Sequence, residues 1–215
     1  MRNKFGTICM ALGAALIFGA LSLFIHNQRE AAEAQEATDN LLPQLVIEIE
    51  RQREEQSTDS EVETQLNQPL GTPVEFLDSN ALEMTEVEID GYAYIGYLSI
   101  PKMGLELPVM SDWDDTRLKL APCRYTGSVR GEDLVIMAHN YVGHFGGLSV
   151  LSEGDGVIFT DMDGVVTSYK VVGLDVLAPT AVEEMTAGVY DLTLFTCTYG
   201  GENRVTVYCD RVKNG

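Results

Sequence analysis

The order of apolar and polar positions divides the chain into three parts. The first is an unbroken apolar run, Phe5–Ile25, of 21 residues without a charge. At 1.5 Å of rise per residue it matches a hydrocarbon layer of roughly 30 Å, and it is read as a transmembrane helix. The second part, to about residue 80, is polar. Within it Leu41, Leu42, Leu45, Val46 and Ile49 recur at roughly helical spacing, which predicts one amphipathic stretch. Pro69, Gly71 and Pro73 then punctuate the chain and mark a boundary. In the third part the pattern changes to short β-rich runs. Strands are predicted at Tyr92–Ile100, Leu105–Val109, Leu134–Ala138, Gly156–Thr160, Val165–Leu174, Leu192–Thr196 and Arg204–Val212. The run LVIMA has no alternation, as a strand buried on both faces should not. Asp163-Gly164 signals a hairpin between two of these strands. Within this third part helix is expected only in short turns near Trp113–Leu118, Gly147–Leu151 and Val182–Met185, while Glu30–Gln56 in the second part, full of good helix formers, could form helix. Close-spaced strands with glycine-rich turns indicate a mainly β barrel or sandwich.

Charge sharpens these boundaries. The 215 residues carry a net −19, which argues against nucleic acid as a partner because phosphates would be repelled. Residues 1–26 hold Arg2 and Lys4 and no acid. Residues 27–90 hold three basic and 17 acidic residues, and residues 91–215 hold nine and 16. The basic tail before the apolar run keeps the N-terminus in the cytoplasm and sends the remainder outside. The expected organisation is a cytoplasmic tail at 1–4, a membrane anchor at 5–26, an acidic, solvated stalk at 27–80 and a folded domain at 81–215. Pairing of two chains through the short apolar stripe is the minor alternative for the stalk. A cleaved leader ending at Ala32-Glu33-Ala34 is the rival for the anchor.

Few residues in the domain are equipped for covalent chemistry. His139 ends the buried strand LVIMA and projects into a loop, a common place for reactive groups. Cys197 ends the strand LTLFT in the same way, and Arg204 opens the next strand seven residues later. If those strands form a hairpin, Cys197 and Arg204 lie near each other across its turn. A neighbouring cation favours thiolate. A guanidinium can donate to a developing oxyanion, and an imidazole can protonate a leaving amine. The three together suffice for acyl transfer through a thioester. Each alone is more often structural.

These residues sit in stretches that resemble the sortase family. Thr193-Leu194-Phe195-Thr196-Cys197 followed by Arg204 resembles its TLxTC…R signature. VIMAHNYVGHFGGLSVLSEGD (Val135–Asp155) resembles its histidine segment, with Ala138 where a glycine often stands and Asn140 after the histidine. IGYLSIPKMGLELPV (Ile95–Val109) resembles its opening, and Arg124–Ser128 also fits. The resemblance spans about residues 90–212 in the family's order. It implies a closed sortase-type β-barrel with short helices. It implies Cys197 as nucleophile, His139 as general acid/base and Arg204 as the arginine that stabilises the oxyanion or positions the substrate. Arg211 is the rival arginine, but it lies far along the strand and on the opposite face. His144 matches no family role. The implied reaction cleaves an LPxTG-like sorting signal of a surface protein and transfers the acyl group to an amine on a peptidoglycan precursor or a pilin, at a Gram-positive cell membrane. The wording around His139 and Cys197 leans to a class B or D-like enzyme, and the chain's end at Gly215 without a second apolar anchor leans away from class C.

No cofactor is expected, with Ca²⁺ at Asp161 and Asp163 as the minor alternative, since the spacing lacks a full calcium loop. Cys123 and Cys209 are expected to be a loop thiol and a core thiol rather than a disulfide. A thiol protease and a non-catalytic anchored β domain for envelope assembly are the other functional classes.

Overall fold

The computed structural model describes residues 2–63 and 83–213. Helix α1 spans Arg2–Glu63. The strands are β1 (Val87–Ile89), β2 (Tyr92–Ile100), β3 (Leu105–Met110), β4 (Cys123–Thr126), β5 (Leu134–Met137), β6 (Gly156–Asp161), β7 (Val166–Leu177), β8 (Leu192–Cys197) and β9 (Arg204–Arg211). Short helices α2 (Arg117–Leu120) and α3 (Val182–Thr186) and two 3₁₀ turns connect them. The strand order is β1-β2-β3-β4-β5-β8-β9-β7-β6, and β6 returns to pair with β2. Eight strands therefore close into a barrel, with β1 appended to β2. The expected closed β-barrel with short helices and a leading apolar helix is what the structure shows.

Each predicted strand is present, and two were not foreseen. β1 has three residues and β4 four. Pairing between β3 and β4 is a single parallel bridge, Met110 to Cys123, too brief to leave a periodic signature. Strands β5 and β8 run parallel in the register Leu134–Leu192 to Met137–Phe195. Both are covered on two faces, as their unalternating apolar runs require. Leu134, Ile136, Leu192 and Leu194 point into the barrel with Phe159, Ile95 and Val207. On the outside, Val135, Met185 and Phe195 form a smaller cluster against α3. Barrel closure depends on Gly96, whose φ is +142°; a Cβ there would collide with the Thr160 carbonyl oxygen and lie 2.9 Å from Asp161 Cα. At the predicted hairpin Gly164 takes φ +75°, and the Asp161 carboxylate accepts the N–H groups of Asp163 (3.0 Å) and Val165 (2.9 Å).

The polar segment after residue 26 differs from a solvated stalk over its described part. Helix α1 runs on through it to Glu63. Its face Ala34, Thr38, Leu41, Leu45 and Ile49 is buried. Leu41, Leu45 and Ile49 pack on Tyr94, Met110, Leu118, Ala121, Cys123 and Met162. The apolar stripe thus meets the outer wall of the chain's own barrel. Physically, five buried positions along one helix face outweigh the solvation of the acidic groups, most of which stay exposed. The rest of the expected stalk, with its Pro69–Pro73 boundary, lies outside the described residues. At the other end of α1 an 18-residue window has mean hydropathy 2.5 and none of it is buried; this is one candidate membrane span.

Candidate active site

The two parallel strands β5 and β8 end at the same rim of the barrel. Continuing their register two residues past Met137–Phe195 sets His139 beside Cys197. Three hydrogen bonds hold that extension: Ala138 N–H to Phe195 O at 3.3 Å, Thr196 Oγ1 to Ala138 O at 2.7 Å and Asn140 Nδ2 to Thr198 O at 3.4 Å. On the other side of β8, Cys197 is the direct antiparallel partner of Arg204 on β9. Neighbouring strands lie about 5 Å apart, so the three residues form a row across three strands. Strand alternation turns Cys197 outward, since Leu192 and Leu194 fill the barrel. The β8–β9 turn is closed by Thr198 N–H to Asn203 O at 2.9 Å. Arg204 Nη1 donates to Gly201 O and Asn203 O, both at 3.1 Å, which anchors the guanidinium at the turn. Sequence spacing alone left the shape of this turn open; it is a six-residue connection with Gly200 and Gly201 both at positive φ.

Arg211 is elsewhere. Its Nη2 donates to Val129 O at 2.6 Å and its Nη1 lies 3.3 Å from Glu132, at the opposite end of β9. The other thiols are also separated from the row. Cys209 lies in the barrel core, and Cys123 is buried on β4 rather than in a loop. Burial pushes both thiols up to about 12, so they stay protonated at neutral pH. Both are free, and Cys197 is half-buried. Of the Ca²⁺ candidates, Asp161 caps the β6–β7 turn, while Asp163 accepts the Thr85 hydroxyl at 2.8 Å and pairs with Arg130. Among the described residues no group of three or more His, Cys, Asp and Glu side chains is placed to hold a metal ion.

Burial lowers the His139 pKa, Lys119 adds to the lowering, and Glu30 and Asp115 oppose it. The imidazole is thereby biased toward its neutral, proton-accepting form. Its ring lies 4.9 Å from that of Tyr141, which in turn lies 5.5 Å from His144. His144 is fully buried, and neither ring nitrogen has a hydrogen-bond partner. Burial, with a smaller push from His139, lowers its pKa to about 4. The unfolded chain therefore binds a proton that the folded chain refuses between about pH 6.5 and 4, and stability falls as pH drops through that window. The expected loss from His144 alone between pH 7 and pH 5 is about 2 kcal/mol. Urea unfolding of the wild type and of His144→Phe at both pH values checks this: the variant loses less on acidification. Equal losses would show that His144 takes up its proton in the fold.

An aromatic row leads away from Cys197 on the same outer face. Tyr125 stacks on Trp113 at 5.7 Å and meets Phe195 edge-on at 5.5 Å. Beyond it a polar cavity of about 420 Å³ is lined by Ser111, Asp112, Arg124 and Thr126. Tyr141 lies in the histidine segment without a role assigned to it there, and neither Glu30 nor Trp113 carries a sequence signal for this region. The approach of Glu30 depends on how α1 lies on the barrel, a tertiary fact with no local signature.

A closed barrel with a thiol, an imidazole and a guanidinium on adjacent strand ends is an architecture suited to covalent acyl transfer. The family model for the sortase domain matches residues 98–212, and the chain belongs to the sortase family, whose members are cysteine transpeptidases. Sortase A from Corynebacterium diphtheriae is 25% identical, with a TM-score of 0.52 over 58% of this chain and 63% of that one. The chain thus spans less than two thirds of that structure. Sortase C1 from Streptococcus agalactiae is 24% identical, with a TM-score of 0.52 over 60% of this chain and 72% of that one. A Clostridium perfringens sortase D5 transpeptidase is 19% identical, with a TM-score of 0.50 over 56% and 79%. These three share the fold about equally, so barrel similarity favours no class among them. No curated protein matches the chain.

Proposed function

We propose that this protein is a membrane-anchored sortase in which Cys197, His139 and Arg204 carry out transpeptidation on an LPxTG-like sorting signal. The supporting observation is the row His139–Cys197–Arg204 across the ends of β5, β8 and β9. His139, neutral through burial, accepts the Cys197 proton. The sulfur attacks a backbone carbonyl of the signal, and the carbonyl oxygen takes the negative charge. Arg204 donates to that oxyanion. The C–N bond breaks, His139 returns the proton to the leaving amine, and a thioester remains on Cys197. An amine on a peptidoglycan precursor or a pilin then attacks the thioester. The C–S bond breaks, a new amide forms, and the amine's proton passes through His139 to restore the thiol. The exposed Trp113 and the half-buried Tyr125, seated on Phe195, give an extended peptide an apolar surface near the thiol. The apolar helix would hold the N-terminus in the cytoplasm and the barrel outside, where surface proteins carrying such signals and their acceptors meet.

The full chain incubated with LPxTG-like peptides and an amine such as triglycine tests the reaction. The expected result is a new amide product that grows with amine concentration. Free carboxylate product alone at abundant amine would make the chain a thiol protease, and no product from a folded chain with a free thiol would favour the binding domain. Arg204→Ala is expected to lower kcat/KM roughly 10²–10³-fold, the usual cost of losing one oxyanion donor. Steady-state kinetics on the same peptides check it, and a loss of less than about threefold would assign the oxyanion to other donors.

A further inference from the structure

Helix α1 reaches the catalytic row. A Glu30 carboxylate oxygen accepts from the Tyr141 hydroxyl at 3.5 Å. The other lies 3.4 Å from Lys119 Nζ and 3.6 Å from His26 Nε2. Tyr141 is the ring that lies tilted beside His139 at 4.9 Å. One turn further along, the Gln35 side-chain oxygen fills the space that a Cβ on Gly143 of the same loop would need. The loop is also held by itself, through Phe145 N–H to His139 O at 3.1 Å and His144 N–H to Tyr141 O at 3.0 Å, and on its inner side by Asn140 on Thr198 and by Phe145 in the barrel core. On its outer side the loop meets the helix at Tyr141 and Gly143. One anion, Glu30 from α1, and one cation, Lys119 from α2, both act on the His139 imidazole. Asp115 before α2 is a further anion within reach, and His144 behind Tyr141 is neutral. Cys197 and Arg204 face it from β8 and β9.

We infer that Glu30 is a positioning residue of this active site: from the N-terminal helix it holds Tyr141 beside the His139 imidazole and offsets the charge of Lys119, so that His139 can carry a proton in mid-reaction. The inference rests on the assignment of His139 as acid/base. It gives the acidic segment a task, since Glu30 lies only five residues, about 7.5 Å along a helix, beyond the end of the apolar run at Ile25. The apolar run and Glu30 belong to one continuous helix. A barrel cut free of α1 would lose Glu30 and keep Lys119.

The signs make this testable. Removing an anion near an imidazolium disfavours it, and removing a cation favours it. Glu30→Gln is expected to move the titration midpoint of His139 down, and Lys119→Gln to move it up. Glu36→Gln, on the exposed side of α1, should leave it in place. The measurement is an NMR titration of the imidazoles in the full chain in detergent micelles, with Cys197→Ala as the background. Only three histidines need assigning. A purely structural part for Glu30 would not give opposite signs from its two neighbours' charges. In the chain with its thiol, Glu30→Gln is expected to lower kcat for peptide with KM nearly unchanged. Should Glu30→Gln unseat the helix, Lys119→Gln still reports, because it leaves the Glu30–Tyr141 contact in place. No shift, or shifts of one sign for both variants, overturns the inference. Absent shifts in a chain that turns over peptide overturn it alone. Opposite shifts in a chain that turns over no peptide count against the assigned reaction, and the charge bracket stands.

Discussion

Cys197→Ala is expected to remove peptide transfer altogether, a loss of at least about 10³-fold in kcat, because the residues around it act as a unit on one nucleophile. No second thiol can substitute. Cys209 is sealed in the barrel core and Cys123 is buried on β4, both held protonated by burial. Cys9 lies in the apolar run of α1. The same substitution should leave the fold almost unchanged, since Cys197 is half-buried at the rim and its removal opens no core cavity. Turnover of a labelled peptide, read beside a thermal melt of the same sample, separates the two effects. Transfer retained at a tenth of the wild-type rate, in a variant with an unchanged melt, would place the nucleophile elsewhere.

The largest effect on the fold is expected at Gly96, far from that chemistry. The barrel closes where β2 pairs with β6, and Gly96 sits opposite Asp161 in that pairing. A register shift in the β2–β3 pairing falls between Tyr94 and Gly96. Two penalties coincide there for any other residue. The φ of +142° is one that L side chains rarely adopt, and an added Cβ meets the β6 backbone rather than a movable side chain. Gly96→Ala is therefore expected to cost about 3 kcal/mol or more, the sum of backbone strain and overpacking. Urea unfolding of the two chains at one pH gives the number. A shift of less than about 1 kcal/mol would mean that β2 and β6 can separate without loss, and that the closed barrel is not the unit that melts.

How much of this was legible in the sequence depended on where each feature's cause lies. Strands such as Leu134–Met137 and Leu192–Cys197 carry their cause locally: apolar runs of strand length with a reactive residue at the end. Their shared parallel direction, and hence the neighbourhood of His139 and Cys197, is a matter of topology; the motif order suggested it and the register supplies it. β4 was missed because Arg124 and Thr126 break its apolar pattern, and only β5 pairs with it over any length. The face of α1 was half read. Leu41, Leu45 and Ile49 were visible as a stripe, but a stripe does not name its partner. The stripe is compatible with solvent or a second chain, and it packs on the chain's own barrel. Glu30 stayed invisible for the same reason. As one of 17 acidic residues between positions 27 and 90, it is singled out only when the helix is laid beside Tyr141. His144 shows the reverse case. Its sequence position in a glycine-rich loop suggested nothing, and its chemical distinction comes wholly from being enclosed.

The central claim is that Cys197 holds a peptide as a thioester, and the intact mass of the chain tests it most directly. The full-length protein is mixed with LPxTG-like peptides without acceptor, quenched in acid and weighed. The expected result is an added mass equal to the N-terminal acyl fragment of one peptide. It maps to Cys197 on digestion, is absent in Cys197→Ala and is discharged when an amine is added before the quench. An unmodified mass with every peptide, from a folded chain whose Cys197 reacts with iodoacetamide, would contradict the claim. So would an adduct that persists in Cys197→Ala.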